Sequence, residues 1–342
     1  MEAPELRQLP RYPAVGGTCV IALGIFALAP PDMVEPLQLD LRAFWAEPWR
    51  ILTSNLLHAA QLQSEDFLGG LFHVGFNCYW IWLLGTQVEA RLGHLRTLGL
   101  LVAFGLGGAL LEYGMSGPAV GLSGVVYGLV GMLVVLARRP DRSGTSPRWR
   151  GCIDDRSRNL MGVWFLACIA MTLLEVMPIA NFAHAGGAIL GALVGWSLRT
   201  SDSRAAKPNT ASDSGPDAGP RRFIPARLAS AGLALGLFAA LASVARPWVN
   251  LSTRAGIDAM VLAQRADSND ELELALRYAE RGVGYWRTPA DHWAYLGGLY
   301  YRNGDPAKAA SALAEAVARD PENDDYRLAQ TQFEQIAAAS QH

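Results

Sequence analysis

An all-α fold, a polytopic bundle of membrane helices followed by a soluble helical-repeat region, is what this sequence predicts, and three observations carry the expectation. Seven long apolar segments recur between residues 14 and 245, arginines gather in alternate loops, and residues 251–342 turn alanine-rich, charged and helical in period. A little over half of the 342 residues are hydrophobic and only 18% are charged, which is more apolar than an ordinary soluble chain.

The segments are 14–31, 71–90, 95–113, 120–137, 160–178, 181–198 and 226–245. Lipid offers no partner to a bare backbone amide or carbonyl, so a crossing element is a helix of about 20 mostly apolar residues. Arg7 and Arg11 before the first segment give it the outline of a signal peptide. More spans follow and no small-residue cleavage site ends the run, so it reads as a first spanning helix. Arg91 and Arg96 sit in the turn between the second and third segments. Seven arginines from Arg138 to Arg158 follow the fourth, and Arg199, Arg204, Lys207, Arg221 and Arg222 follow the sixth. The positive-inside rule makes these loops cytoplasmic and the topology N-in. The first loop, 32–70, is then external, and its Trp45 and Trp49 suit a membrane interface.

The expected organisation is a cytoplasmic N-terminus over 1–13, a six-helix core over 14–198, a flexible cytoplasmic linker over 199–225, a seventh transmembrane helix over 226–245 and a helical domain over 251–342. The linker is rich in Ser, Asp, Pro, Gly and Ala and buries too little apolar surface to order itself. In the last region Trp293, Leu296, Gly297, Tyr300, Ala309 and Pro321 follow tetratricopeptide spacing. One period of 34 residues upstream only Ala275 and Ala279 match, so that repeat is degenerate. A stack of helical hairpins is expected, with a plain helical hairpin as the simpler alternative.

A net charge of −2 with dispersed basic residues argues against nucleic acid as a partner. Cys19, Cys78, Cys152 and Cys168 lack metal-ligand spacing, so neither a metal site nor a disulfide framework is expected. No cofactor is expected, because side chains and backbone amides fill every role below.

The chemistry gathers on the fourth and sixth segments. Ser123 stands in Gly121-Leu122-Ser123-Gly124, and His184 near the start of the sixth segment. Serine becomes a nucleophile when an adjacent base takes its proton, usually histidine. Gly121 and Gly124 let the backbone approach closely, so that the Ser123 amide can face a developing oxyanion. Antiparallel topology sets Ser123 and His184 at similar depth. Gly124, Gly128 and Gly131 after the serine, and Gly187, Gly191 and Gly195 after the histidine, form small-residue stripes along which two helices can pack closely in lipid. An ionisable histidine at membrane depth is costly unless solvated or paired. His73 and Asn77, four apart near the external end of the second segment, share a helix face and could add oxyanion donors. The alternative for that pair is an interfacial histidine beside an interhelical asparagine bond. The whole pattern points to peptide-bond hydrolysis within a bilayer.

With Gly121–Tyr127, Ala183-His184-x-x-Gly187, His73-x-x-x-Asn77, Trp49-Arg50 and Leu84-Gly85-x-x-x-Glu89-x-x-x-Gly93 in place, residues 14–198 resemble the rhomboid intramembrane serine proteases. The resemblance implies Ser123 as nucleophile and His184 as general base, a dyad without an acidic third member. It implies Tyr127 packed on the imidazole, and an oxyanion hole of His73, Asn77 and the Ser123 amide. Glu89 is expected to be structural, finding an interhelical partner. One departure is the stretch Ala59–Leu68 between His58 and His73, longer than the family usually has. The implied partners are transmembrane protein substrates, the lipid bilayer and a protein client docked on the repeat region, in a multi-pass protein of the cell membrane. The rival is a catalytically silent rhomboid-like protein that binds membrane clients through its repeats. A transporter would need further charges along a path, and apart from the sites named the helices offer few.

Overall fold

The computed structural model describes residues 3–39, 47–58, 67–137, 149, 151–174, 176–205, 228–245, 251, 256–285 and 288–339. Trp45, the stretch 59–66, most of the arginine-rich loop 138–150, Glu175, residues 206–225 of the expected linker and residues 226–227 of the expected seventh helix lie outside the described residues. Among those described, every regular element is helical. Contacts divide the chain into two units, Met1–Arg246 and Pro247–His342.

All seven apolar segments are helices. They are α1 (Pro13–Leu28), α2 (Phe67–Leu92), α3 (His94–Met115), α4 (Ser123–Ala137), α5 (Asp155–Leu173), α6 (Asn181–Ala205) and α7 (Leu228–Ala240, continued by a wider π turn over Leu241–Ala245). By length and composition α2 and α3 alone among the described helices suffice to cross a membrane, while α1, α4 and α7 are apolar but shorter. Three expectations shift. The fourth element starts at Ser123 rather than 120, because Gly121 takes φ +109° and gives its N–H to the Ser54 carbonyl instead of a helical partner. The fifth segment, expected over 160–178, folds as Asp155–Leu173, because Asp154 starts the helix early by accepting the Ser157 amide and the chain leaves it at Leu174. The sixth runs to Ala205 rather than 198, so the first residues of the expected linker are helical. No Pro or Gly interrupts 199–205, and Pro208 is the next breaker.

Close backbone contact fixes α4 against α6. A Cβ added at Gly187 would lie 2.0 Å from the Gly124 carbonyl oxygen, one at Gly191 would lie 1.9 Å from that of Gly128, and one at Gly195 would lie 2.6 Å from that of Met132. From the other side, Gly131 leaves room for the Ala188 carbonyl, 2.3 Å from its notional Cβ. This is the stripe-to-stripe packing expected from the glycine spacing.

Glu89 secures α1. Its two carboxylate oxygens accept the Ala14 and Val15 amides, both at 2.9 Å, and one also bonds His94 Nδ1 at 2.6 Å. The first amides of a helix have no partner within it, so the carboxylate of α2 caps α1, the interhelical role expected of it. α2 ends at Gly93, whose φ of +83° suits a residue without a side chain. α7 lies along α3. A Cβ at Gly114 would meet the Ala242 nitrogen at 2.9 Å, and Ala242 is buried with Leu39, Ile51, Leu110 and Tyr113. The last turn of α7 therefore sits at the end of α3 from which the chain runs on to Ser123.

The second unit consists of α8 (Ile257–Ser268), α9 (Leu272–Val283), α10 (Ala290–Arg302), α11 (Pro306–Arg319) and α12 (Asp324–Ala339). Starts recur at an offset of 34 residues, from Leu272 to Pro306 and from Ala290 to Asp324. The degenerate upstream repeat is thus a real hairpin, with Ala275 and Ala279 fully buried where it meets its neighbours. Leu296 is buried, and Gly297 makes room for Leu313, whose Cδ2 lies 2.7 Å from its notional Cβ.

Candidate active site

Ser123 is the first residue of α4. The amides of a helix's first turn have no acceptor within the helix, and they gather where the helix dipole is positive. The loop before Ser123 is pinned by Ser54, whose carbonyl takes the Gly121 N–H at 3.2 Å and whose hydroxyl accepts the Leu39 amide.

His73 and Asn77 face this turn. A Cβ at Gly121 would lie 2.9 Å from His73 Cε1, 3.0 Å from its Nε2 and 3.7 Å from Asn77 Nδ2. A side chain at 121 would collide with the His73 ring, so glycine there lets the ring pack against this turn. The Asn77 amide nitrogen also bonds His58 Nε2 at 3.2 Å, and the His58 and His73 rings meet edge to face at 4.9 Å. His58 is wholly buried. Burial, and secondarily the charge of His73, lower its pKa to about 3, so the ring is neutral and accepts the Asn77 N–H. That bond turns the amide's nitrogen side toward Gly121 and leaves its second N–H for an acceptor there.

His184 stands in the first turn of α6, 4% exposed, its ring stacked on Tyr127 with centroids 4.5 Å apart and planes at 30°. Phe165 of α5 flanks both rings, at 5.5 Å from Tyr127 and 6.2 Å from His184. Ser123 and Tyr127 are four apart and share one face of α4, so the ring held on Tyr127 lies beside the turn that carries the serine. No Ser123–His184 hydrogen bond is formed among the described residues, and His184 Nδ1 is buried without a hydrogen-bond partner. Catalytic hydrogen bonds are often long in a substrate-free enzyme and tighten when substrate arrives.

Two site residues escape the sequence reading. His58 figures there only as a spacing landmark, and Glu112 not at all. The Glu112 carboxylate is 5% exposed and accepts the Ala183 amide at 2.9 Å, next to His184. Its signal is a lone acid within an apolar segment, which says that a partner must exist but not which one. Among the described residues no cluster of potential metal ligands occurs.

Residues 46–201 match the rhomboid domain and residues 289–333 a tetratricopeptide repeat. The rhomboid protease GlpG of Enterobacter sp. (strain 638) is 32% identical over 163 residues, covering 47% of this chain and 51% of that protein. GlpG of Yersinia pestis (strain Pestoides F) is 34% identical over 158 residues, covering 45% and 53%. The chain spans about half the length of the curated relatives it matches. What the geometry and these likenesses establish together is a chain that carries a rhomboid domain over 46–201 and a tetratricopeptide repeat over 289–333.

Proposed function

We propose that the chain is an intramembrane serine endopeptidase of the cell membrane, cutting the transmembrane segments of other membrane proteins with Ser123 as nucleophile and His184 as general base. The observation that carries this is the His184 ring stacked on Tyr127, one turn after Ser123, beside a turn faced by His73 and Asn77. His184 takes the serine proton as Oγ attacks the scissile carbonyl and returns it to the leaving amine. The Ser123 amide, His73 and Asn77 hold the developing oxyanion, each donor contributing about 2.7–4 kcal/mol. Water then hydrolyses the acyl-enzyme. The 15 residues of α4 span about 22 Å against a hydrocarbon core of about 30 Å. That shortfall favours a serine set below the membrane surface under a pocket open to water.

Cleavage of a fluorescent transmembrane substrate in detergent tests the reading. Ser123→Ala and His184→Ala lose cleavage, and a fluorophosphonate labels Ser123 in the wild type but only weakly in His184→Ala. Undiminished cleavage by either variant removes the dyad.

If 226–245 crosses the membrane, the repeat unit, 251–342, is proposed to lie outside with the active site and to hold substrate ectodomains near Ser123, raising their effective concentration, whereas a re-entrant or interfacial 226–245 would put it in the cytoplasm. The last turn of α7 at the Gly114 end of α3 supports this, because the chain leaves the first unit at the end where Ser123 lies. Deleting 251–342 reduces cleavage of a full-length client far more than of an isolated transmembrane peptide, whereas equal losses count against the tether. Protease accessibility of the C-terminus in intact cells checks the side.

A further inference from the structure

The buried carboxylate of Glu112 takes part in no step above, although it touches the residue before His184. We infer that Glu112 is a positioning residue that sets the first turn of α6, and with it the imidazole, relative to Ser123 by holding the Ala183 amide. The inference rests on the serine–histidine reading and adds a residue to it.

Ala183 is clasped by α3 from two directions. Its N–H is held by Glu112 at 2.9 Å, across 71 residues of sequence. Its carbonyl lies 2.8 Å from where a Cβ of Gly108 would stand, one turn earlier on the same face of α3. Two residues beyond His184, Gly186 abuts the Gly107 carbonyl, 2.6 Å from its notional Cβ. The backbone on both sides of the histidine is thus registered against α3, while Tyr127 governs the tilt of the ring. In a serine–histidine–aspartate triad the acid grips the imidazole itself. Here the neighbouring acid grips the peptide that bears it, and a carboxylate is well suited to that place because it faces the positive end of the α6 dipole.

The test uses the full chain in detergent, with a fluorescent transmembrane substrate and a fluorophosphonate, and scores each variant per folded molecule. Glu112→Ala removes the acceptor, Glu112→Gln keeps an acceptor oxygen at the same reach, and Glu112→Asp keeps the charge but withdraws it by one methylene. In Glu112→Ala, kcat and the rate of Ser123 labelling fall together by about 10–100-fold, the scale of an ångström-sized misplacement, with KM nearly unchanged. Glu112→Gln stays close to the wild type, and Glu112→Asp falls between. If the alanine variant fails to fold, the Gln and Asp variants decide the matter by the same two rates. Full kcat per folded Glu112→Ala molecule, whatever its melting temperature, overturns the inference, as does a change in KM alone or a glutamine variant as slow as alanine. A wild type that neither cleaves nor labels at Ser123 overturns the protease reading and this inference with it. A competent wild type beside an unimpaired Glu112→Ala overturns the inference alone.

Discussion

The two units are both bundles of helices, yet they are held together by opposite means. In the first, α4 and α6 meet through their backbones at a run of glycines, and the buried acids Glu89 and Glu112 serve the amide ends of neighbouring helices. In the second, most contacts between helices run through alanine and leucine side chains, with close glycine approaches at Gly256 and Gly297, and the ion pairs stay on the surface. Asp305 caps α11 through the Lys308 amide, Arg319 lies over Trp293 at 4.8 Å, and Arg302 pairs with Asp267 at 2.6 Å. In water an apolar face is its own reason to pack. In lipid that drive is absent, so close approach and satisfied polar groups must supply the cohesion.

The sharpest way to break the contrast is to add methyl groups. Gly191→Ala puts a Cβ 1.9 Å from the Gly128 carbonyl oxygen, backbone that has nowhere to move, so α4 and α6 must separate. We expect a loss of more than about 4 kcal/mol and of all cleavage, read by thermal unfolding in detergent and by substrate assay. Gly298→Ala in α10 meets nothing within 4 Å and should be neutral or stabilise the repeat unit by up to about 1 kcal/mol.

Acids give the next largest difference. Glu89→Ala strands two buried amides at the start of α1, and a cost of about 3–5 kcal/mol is expected from loss of a buried charged partner. Asp305→Ala removes an exposed cap and should cost about 1 kcal/mol. Equal costs for the two would dissolve the comparison.

The smallest effect concerns pH. The His58 pKa lies near 3 in the folded chain against an ordinary 6.5, so the unfolded chain binds the extra proton first. Its contribution to stability is fully present above pH 6.5 and drains away as the pH falls toward about 3. His58→Gln should flatten that part of the stability profile of the first unit, and an unchanged slope would mean that His58 does not govern it.

Much of this was legible in the residues, and the reason differs from place to place. The glycine stripes after Ser123 and His184 announced their own packing, because a residue without a side chain at a four-residue interval has few other uses in a membrane helix. Trp293, Leu296 and Gly297 did likewise for the repeat. The degenerate hairpin was harder to see, since only two small alanines mark a contact whose larger partners come from neighbouring helices. The boundary at 198 was misjudged because composition changes there while helix-forming capacity does not. The partner of Glu112 was hidden for a deeper reason. It is a backbone amide, which every residue but proline carries, so no pattern of side chains could point to Ala183.

The cap that Glu89 places on α1 also bears on how the chain is assembled. The amides of Ala14 and Val15 meet their acceptor only after another 75 or so residues have left the ribosome. Until then the start of α1 lacks the carboxylate that caps it. α2 must be made as far as its last turn before that acid exists. The pair of helices, rather than either singly, is therefore the smallest piece in which the two amides are satisfied.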